Sequence, residues 1–249
     1  MVDAALVTGG GRRIGRAIAE GLAADGWAVA VHFHGARAEA EEAVATIAAA
    51  GGRAAAVAAD LGNESEVAAL VARAEEALGV PVTCLVNNAA RFEPDGAATA
   101  TKESWDRHMD INLRAPFVLT QNLAAQLPAG ADGHVINLLD QRVWNLTGEF
   151  TSYTVSKSAL WTLTRTLALA FAPRIRVNSV APGPVLPSER QKQAHFDAQV
   201  AATPLAHPVA VADIVSAVRF FLATPSVTGQ LIATDSGQHL VPGGRAATE

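Results

Sequence analysis

The sequence predicts a single α/β domain built on a doubly wound, mostly parallel sheet of seven strands with helices on both faces. Three observations carry this. Short apolar runs alternate with longer amphipathic segments along the chain. The runs are continuously apolar rather than alternating, as strands buried on both faces require. With 249 residues, half of them hydrophobic, there is material for one large core.

The expected strands are residues 4–7, 28–32, 54–58, 82–86, 134–139, 175–180 and 231–233. Helices are expected over 14–24, 38–50, 64–78, 102–126, 152–172 and 211–222, where apolar residues recur at helical spacing. Repeated β-α units imply right-handed crossovers. No linker or repeat divides residues 1–249. The longest irregular piece is about 182–208, and long loops in compact domains usually serve as lids or binding loops. The tail over 243–249 is expected to fray.

Composition excludes several classes. A net charge of −5 without a basic run argues against a nucleic-acid partner. No apolar stretch is long enough to cross a membrane, and the N-terminus lacks a signal-peptide layout. A lone Cys84 allows no internal disulfide, which fits a reducing cytoplasm. No metal site is expected.

The first strand runs into Thr8-Gly9-Gly10-Gly11-Arg12-Arg13-Ile14-Gly15, followed at once by a helix. Glycines let backbone approach a pyrophosphate, and the helix start offers N–H groups and a positive dipole end, as in Rossmann-type dinucleotide sites. A fold of this type that prefers NAD carries an acid at the end of its second strand. Here that strand ends in His32-Phe33-His34-Gly35-Ala36-Arg37. With no acid and with Arg12, Arg13, His32 and Arg37 as possible cations for a 2′-phosphate, NADP(H) is expected.

Tyr153, the only tyrosine, stands four residues before Lys157, one of three lysines. On a helix the two share a face. A phenol titrates near 10, too high for acid–base work at neutral pH, and a neighbouring ammonium favours phenolate. Tyr153 is therefore the expected proton donor, with Lys157 tuning it and holding the cofactor's ribose.

These motifs, with Asn87-Asn88-Ala89-Ala90, Asn112 and Pro182-Gly183, resemble the short-chain dehydrogenase/reductase family in order and separation, from residue 3 to about 240. The resemblance implies that Asn87 to Ala89 steady the sheet edge beside the cofactor. It also implies that Asp60 and Leu61 flank the adenine and that Asn112 relays protons through water to Lys157. Cofactor contacts are thus expected from Gly9, Arg12, Arg13, Ile14, Gly15, His32, Phe33, His34, Asp60, Leu61, Asn88, Ala89, Ala90, Lys157, Pro182 and Gly183. It further implies a homotetramer assembled through the helices over 102–126 and 152–172, with Leu160, Leu163, Leu167 and Leu169 available to core or interface.

Two departures narrow the resemblance. Asp140 stands 13 residues before Tyr153, where most of the family has serine, and Arg13 replaces a glycine of the phosphate turn. Both, with His32-Phe33-His34, resemble the pteridine reductase and dihydromonapterin reductase branch. Reducing a C=N bond delivers hydride to carbon and a proton to nitrogen, and a carboxyl can hydrogen-bond a pterin's N–H groups. Phe92 then becomes a candidate to stack on a flat heterocycle, or else a core residue. Trp144 and the stretch 184–193, Leu186 included, are expected to shape the pocket. The leading expectation is an NADPH-dependent reductase of a dihydropterin. Its rivals are a reductase of 3-oxoacyl thioesters or small ketones and a non-catalytic NADP(H)-sensing protein.

Overall fold

The computed structural model describes residues 3–187 and 191–241, so the expected tail at 243–249 lies outside the described residues. Seven strands form one sheet: β1 (Ala4–Val7), β2 (Ala28–Phe33), β3 (Arg53–Ala58), β4 (Cys84–Asn87), β5 (Gly133–Leu138), β6 (Ile175–Pro182) and β7 (Leu231–Thr234). Their order is β3-β2-β1-β4-β5-β6-β7, and every pairing is parallel. Strand order reverses between β1 and β4, where such sheets open a crevice at their carboxyl ends.

All residues of β1 and β2 are buried, so both sheet faces are covered. Successive residues serve opposite faces. Leu6, Ala30 and Leu85 pack with Leu70 and Leu78 of α3 (Glu64–Leu78), Leu119 of α5 (Ala115–Gln126) and Leu167 of α6 (Thr151–Phe171). Val7, Val31 and Val86 pack with Ile18 and Leu22 of α1 (Arg13–Ala24), Ile47 of α2 (Arg37–Ala49) and Phe221 of α8 (Val211–Ala223). α3 is bounded by local chemistry: Asn63 caps its start through Ser65 N–H (3.1 Å), and Gly79 ends it at a φ of +63°.

Two elements differ from expectation. The helix expected over 102–126 is α4 (Lys102–Met109) and α5, joined by a π-helical turn over Asp110–Arg114. Pro116 lacks the N–H that would reach back to the Asn112 carbonyl, so regular α-helical pairing fails there. The stretch 182–208, expected to be irregular, contains α7 (Gln193–Ala201), seated by buried Phe196 and Val200. Among the described residues no helix is long and apolar enough to cross a membrane.

Candidate active site

A first cleft of about 440 Å³ opens beyond the ends of β1, β2 and β4. The turn from β1 to α1 closes tightly: Gly9 stands at a φ of +62°, and a Cβ on Gly15 would lie 2.2 Å from the Gly9 carbonyl oxygen. Thr8 Oγ1 accepts the N–H groups of Asn88 (2.9 Å) and Ala89 (3.0 Å), while Asn88 Nδ2 donates to the Thr8 carbonyl (2.8 Å). The β1 and β4 turns are thereby locked together. Asn87, deeper, donates to Asn137 Oδ1 across to β5 (2.8 Å). No side chain caps the start of α1, which leaves its first N–H groups for an anion.

The expected cofactor residues from Gly9 to Gly15, His32 to His34, Asp60, Leu61 and Asn88 to Ala90 line this cleft. The cationic role expected of His32 does not hold. His32 is 2% exposed; its Nδ1 accepts the Gly9 N–H (3.1 Å) and its Nε2 faces the Ala59 carbonyl (3.1 Å), which makes Nε2 the protonated nitrogen. Burial, only partly offset by the Ala59 bond, pushes its pKa down to about 4. His32 is a neutral strut under the phosphate turn. Arg37 pairs with Glu41 (3.2 Å), lies over the Phe33 ring and is not among the residues lining the cleft. The arginines that line it are Arg12, Arg13 and Arg91, the last paired with Glu93, and His34 lies 3.4 Å from Asp60.

Arg13 stands at a φ of +51°, in the left-handed region that a glycine would occupy without cost. Its guanidinium donates to the carbonyls of Leu186 (3.1 Å) and Pro187 (3.0 Å). It therefore joins the phosphate turn to the loop over the second cleft.

That second cleft, about 320 Å³, shares Arg13, Ile14, Asn88 and Ala90 with the first. Tyr153, Lys157 and Asp140 meet in it. Asp140 ends the segment after β5; its Oδ1 accepts the Arg142 N–H (2.8 Å) and its Oδ2 accepts the Tyr153 hydroxyl (3.1 Å). Lys157, 2% exposed, donates to the Leu138 carbonyl (2.7 Å) and lies 5.9 Å from the Tyr153 ring centre. Burial lowers its pKa to about 8, against the opposing charge of Asp140. A buried ammonium that titrates near neutrality is suited to passing a proton on.

Phe92 and Leu186, expected to shape the substrate pocket, line this cleft, and so do Pro182 and Gly183, expected as cofactor contacts. Phe92 stacks on Phe150 (centroids 4.5 Å) and meets Tyr153 edge-on (4.7 Å). Trp144 is not among the lining residues: it is 46% exposed and packs edge-on against His239 (5.2 Å). The Asn112 side chain exchanges bonds with the Arg91 main chain (2.7 and 2.9 Å) and donates to Ser156 Oγ (3.0 Å). Sequence reasoning missed Gln141, Arg142, Phe196, Gln199 and Gln238 as lining residues. Only Phe196 had a readable signal, its spacing to Val200. No cluster able to hold a metal occurs among the described residues.

Residues 3–198 match the family model for short chain dehydrogenases. The FolM alternative dihydrofolate reductase 1 of Brucella suis, solved in complex with NADP, superposes with a TM-score of 0.94 at 46% identity over 100% of both chains. A blue fluorescent protein from a metagenomic library, solved with NADPH, gives 0.87 at 37% over 94% of this chain and 97% of that one. The 3-oxoacyl-acyl-carrier-protein reductase of Staphylococcus aureus is 31% identical over 96% of this chain and 99% of its own. With the all-parallel sheet, the glycine turn and the Tyr153–Lys157 pair in place, the chain belongs to the short chain dehydrogenase family of oxidoreductases.

Proposed function

We propose that this chain is an NADPH-dependent reductase that reduces the C=N bond of a dihydropterin, such as a dihydromonapterin or dihydrobiopterin, with Tyr153 as proton donor. The observation that carries this reading is Asp140 Oδ2, 3.1 Å from the Tyr153 hydroxyl in a cleft walled by Phe92. A carboxylate there accepts hydrogen bonds from N–H groups of a heterocycle and holds the phenol facing it. The likeness to an alternative dihydrofolate reductase supports the same substrate class.

The chain's donors fit the cofactor. Arg12, Arg13 and the uncapped start of α1 would hold its phosphates, Asp60 and Leu61 would flank adenine, and Asn88 to Ala90, Pro182 and Gly183 would hold the nicotinamide end. When bound, it supplies the hydride. Tyr153 gives its proton to the substrate nitrogen, and Lys157 holds the ribose and restores that proton. The Asn112 side chain bonds Arg91 and Ser156, and in this reading Asn112 also takes part in a water relay to Lys157.

A second reading, reduction of 3-oxoacyl thioesters or small ketones, has the Staphylococcus aureus relative in its favour. Asp140 opposes it, because a carboxylate repels a developing alkoxide. NADPH oxidation against dihydromonapterin, dihydrobiopterin, dihydrofolate and a 3-oxoacyl thioester separates the two. We expect dihydropterin turnover, falling by about 10²–10⁴-fold in Tyr153→Phe, and carbonyl turnover appearing only in Asp140→Ser. Thioester turnover alone by the wild type would overturn the pterin reading.

The homotetramer also remains a proposal. Leu160 and Leu167 are core residues, whereas Leu169 is 84% exposed and Leu163 lines an apolar groove with Leu113, Phe117 and Ala159. A monomer mass by sedimentation would remove it.

A further inference from the structure

The helix that carries Tyr153 and Lys157 begins without a cap of its own. Phe150, just before α6, stands at a φ of +54° and makes no side-chain cap bond. The cap arrives from the segment after β4. Asp95 accepts the Thr151 N–H on its main-chain oxygen (3.3 Å) and the Ser152 N–H on Oδ1 (3.1 Å). Its Oδ2 accepts the hydroxyls of Ser152 and Ser104, the latter at 3.1 Å. A carboxylate at a helix start is favoured by the helix dipole as well as by these bonds. Burial raises the Asp95 pKa, but the bonds from Ser152 and Ser104 outweigh it and hold the carboxyl below its ordinary value.

A second residue completes the junction. The Glu93 N–H donates to His108 Nε2 (3.2 Å), which leaves Nδ1 as the protonated nitrogen, 2.6 Å from Ser152 Oγ. The Ser152 hydroxyl thus receives from His108 and gives to Asp95. Both Ser152 and His108 are fully buried. The other end of the segment is tied by Asn112, which bonds the Arg91 main chain and Ser156 on α6. Phe92 lies between these ties, its ring against Phe150 and Tyr153.

We propose that Asp95, Ser152 and His108 are positioning residues for the reaction: they cap α6 from another segment and set the spacing between the Phe92 wall and the Tyr153 hydroxyl. A flat substrate lying on Phe92 then presents its proton-accepting atom to the phenol. Each side-chain polar atom of Asp95, Ser152 and His108 has a partner, and a satisfied buried network specifies one arrangement where apolar contacts would tolerate several. The required precision is high, since a misplacement of about 1 Å costs roughly a hundredfold in rate. The proposal rests on Tyr153 being the proton donor and not on which substrate receives the proton.

The test uses two substitutions on the full chain. Asp95→Asn keeps the shape and one acceptor for the Ser152 N–H but cannot accept both hydroxyls. Ser152→Ala keeps a helix former and removes the link to His108. With any substrate the wild type turns over, each is expected to lower kcat by about ten- to a hundredfold, with NADPH affinity held within about twofold by calorimetry. Because Tyr153 is the only tyrosine, its ionisation can be followed directly by near-ultraviolet absorbance, and its midpoint should move in both variants. Wild-type kcat and a wild-type tyrosine titration in both would overturn the proposal. So would kcat and NADPH affinity falling together with the melting temperature, the mark of a merely structural role. If no member of the substrate panel is reduced, the tyrosine titration alone decides, so failure of the pterin reading and failure of this one are told apart.

Discussion

The two clefts meet at Arg13, Ile14, Asn88 and Ala90, yet they are held open in opposite ways. The first is made by main chain: a glycine turn folded on itself, pinned to β4 by Thr8 and Asn88 and propped from below by neutral His32. The second is made by side chains from segments far apart in sequence: Phe92, Asp140, Tyr153, Phe196 and Gln238. Where backbone builds a wall, a residue is restricted by conformation and space. Where side chains build it, the residue type itself sets what is bound. The cofactor half can therefore stay constant while the substrate half changes, and the proposed function assigns such a change to Asp140.

The largest effect should come from filling the backbone-built half. In Gly15→Val the added Cβ meets the Gly9 carbonyl, a main-chain atom that cannot swing away. Overpacking of this kind costs about 1–3 kcal/mol in stability, and NADPH affinity should fall by well over tenfold because the turn itself is displaced. Titration calorimetry checks this. An unchanged dissociation constant would show that the turn is softer than its contacts imply.

The same contrast explains what the sequence made legible. Tyr153 and Lys157 could be paired because four residues on a helix place them on one face, and the glycine turn could be read because strand, turn and helix are contiguous. All seven strands were readable as apolar runs, with every end within two residues of its expected place. What escaped depends on distance or burial. The bond from Ser152 N–H to Asp95 spans 57 positions and has no local signature. His32 looked like a cation because nothing in its neighbours says that both its nitrogens are consumed beneath the turn. Trp144 faces His239 because the chain near 239 folds back over the segment that follows β5. The break at Asn112 did carry a sign, since Pro116 four residues on cannot complete the helix.

Burial of His32 gives a pH prediction of intermediate size. Its folded pKa, about 4, lies below the ordinary 6.5, so the unfolded chain binds the proton first and stability rises with pH. The contribution is complete above about pH 6.5 and is lost as pH falls towards 4, by an amount of order 3 kcal/mol. His134, pushed down to about 4 by burial and by Arg176, acts in the same direction. Melting temperature should drop between pH 7 and 5, and His32→Gln, which does not titrate, should flatten part of that slope. An equal slope in the variant would locate the acid sensitivity elsewhere.

The smallest effect, and the one that probes the seam between the clefts, is Arg13→Gly. Two terms oppose each other. Glycine relieves a left-handed conformation that costs about 1–2 kcal/mol for other residues, while the two exposed bonds to Leu186 and Pro187 are worth about 0.5–1.5 kcal/mol each. The melting temperature should therefore change little. The loop over the second cleft would lose its tie to the phosphate turn, so substrate KM should rise several-fold with kcat nearly kept, alongside a loss of NADPH affinity from the missing cation. If only NADPH affinity falls, Arg13 belongs to the first cleft alone. A rise in substrate KM measured at saturating NADPH would mean that one side chain serves both halves: it contacts the cofactor and holds down the cover of the substrate site.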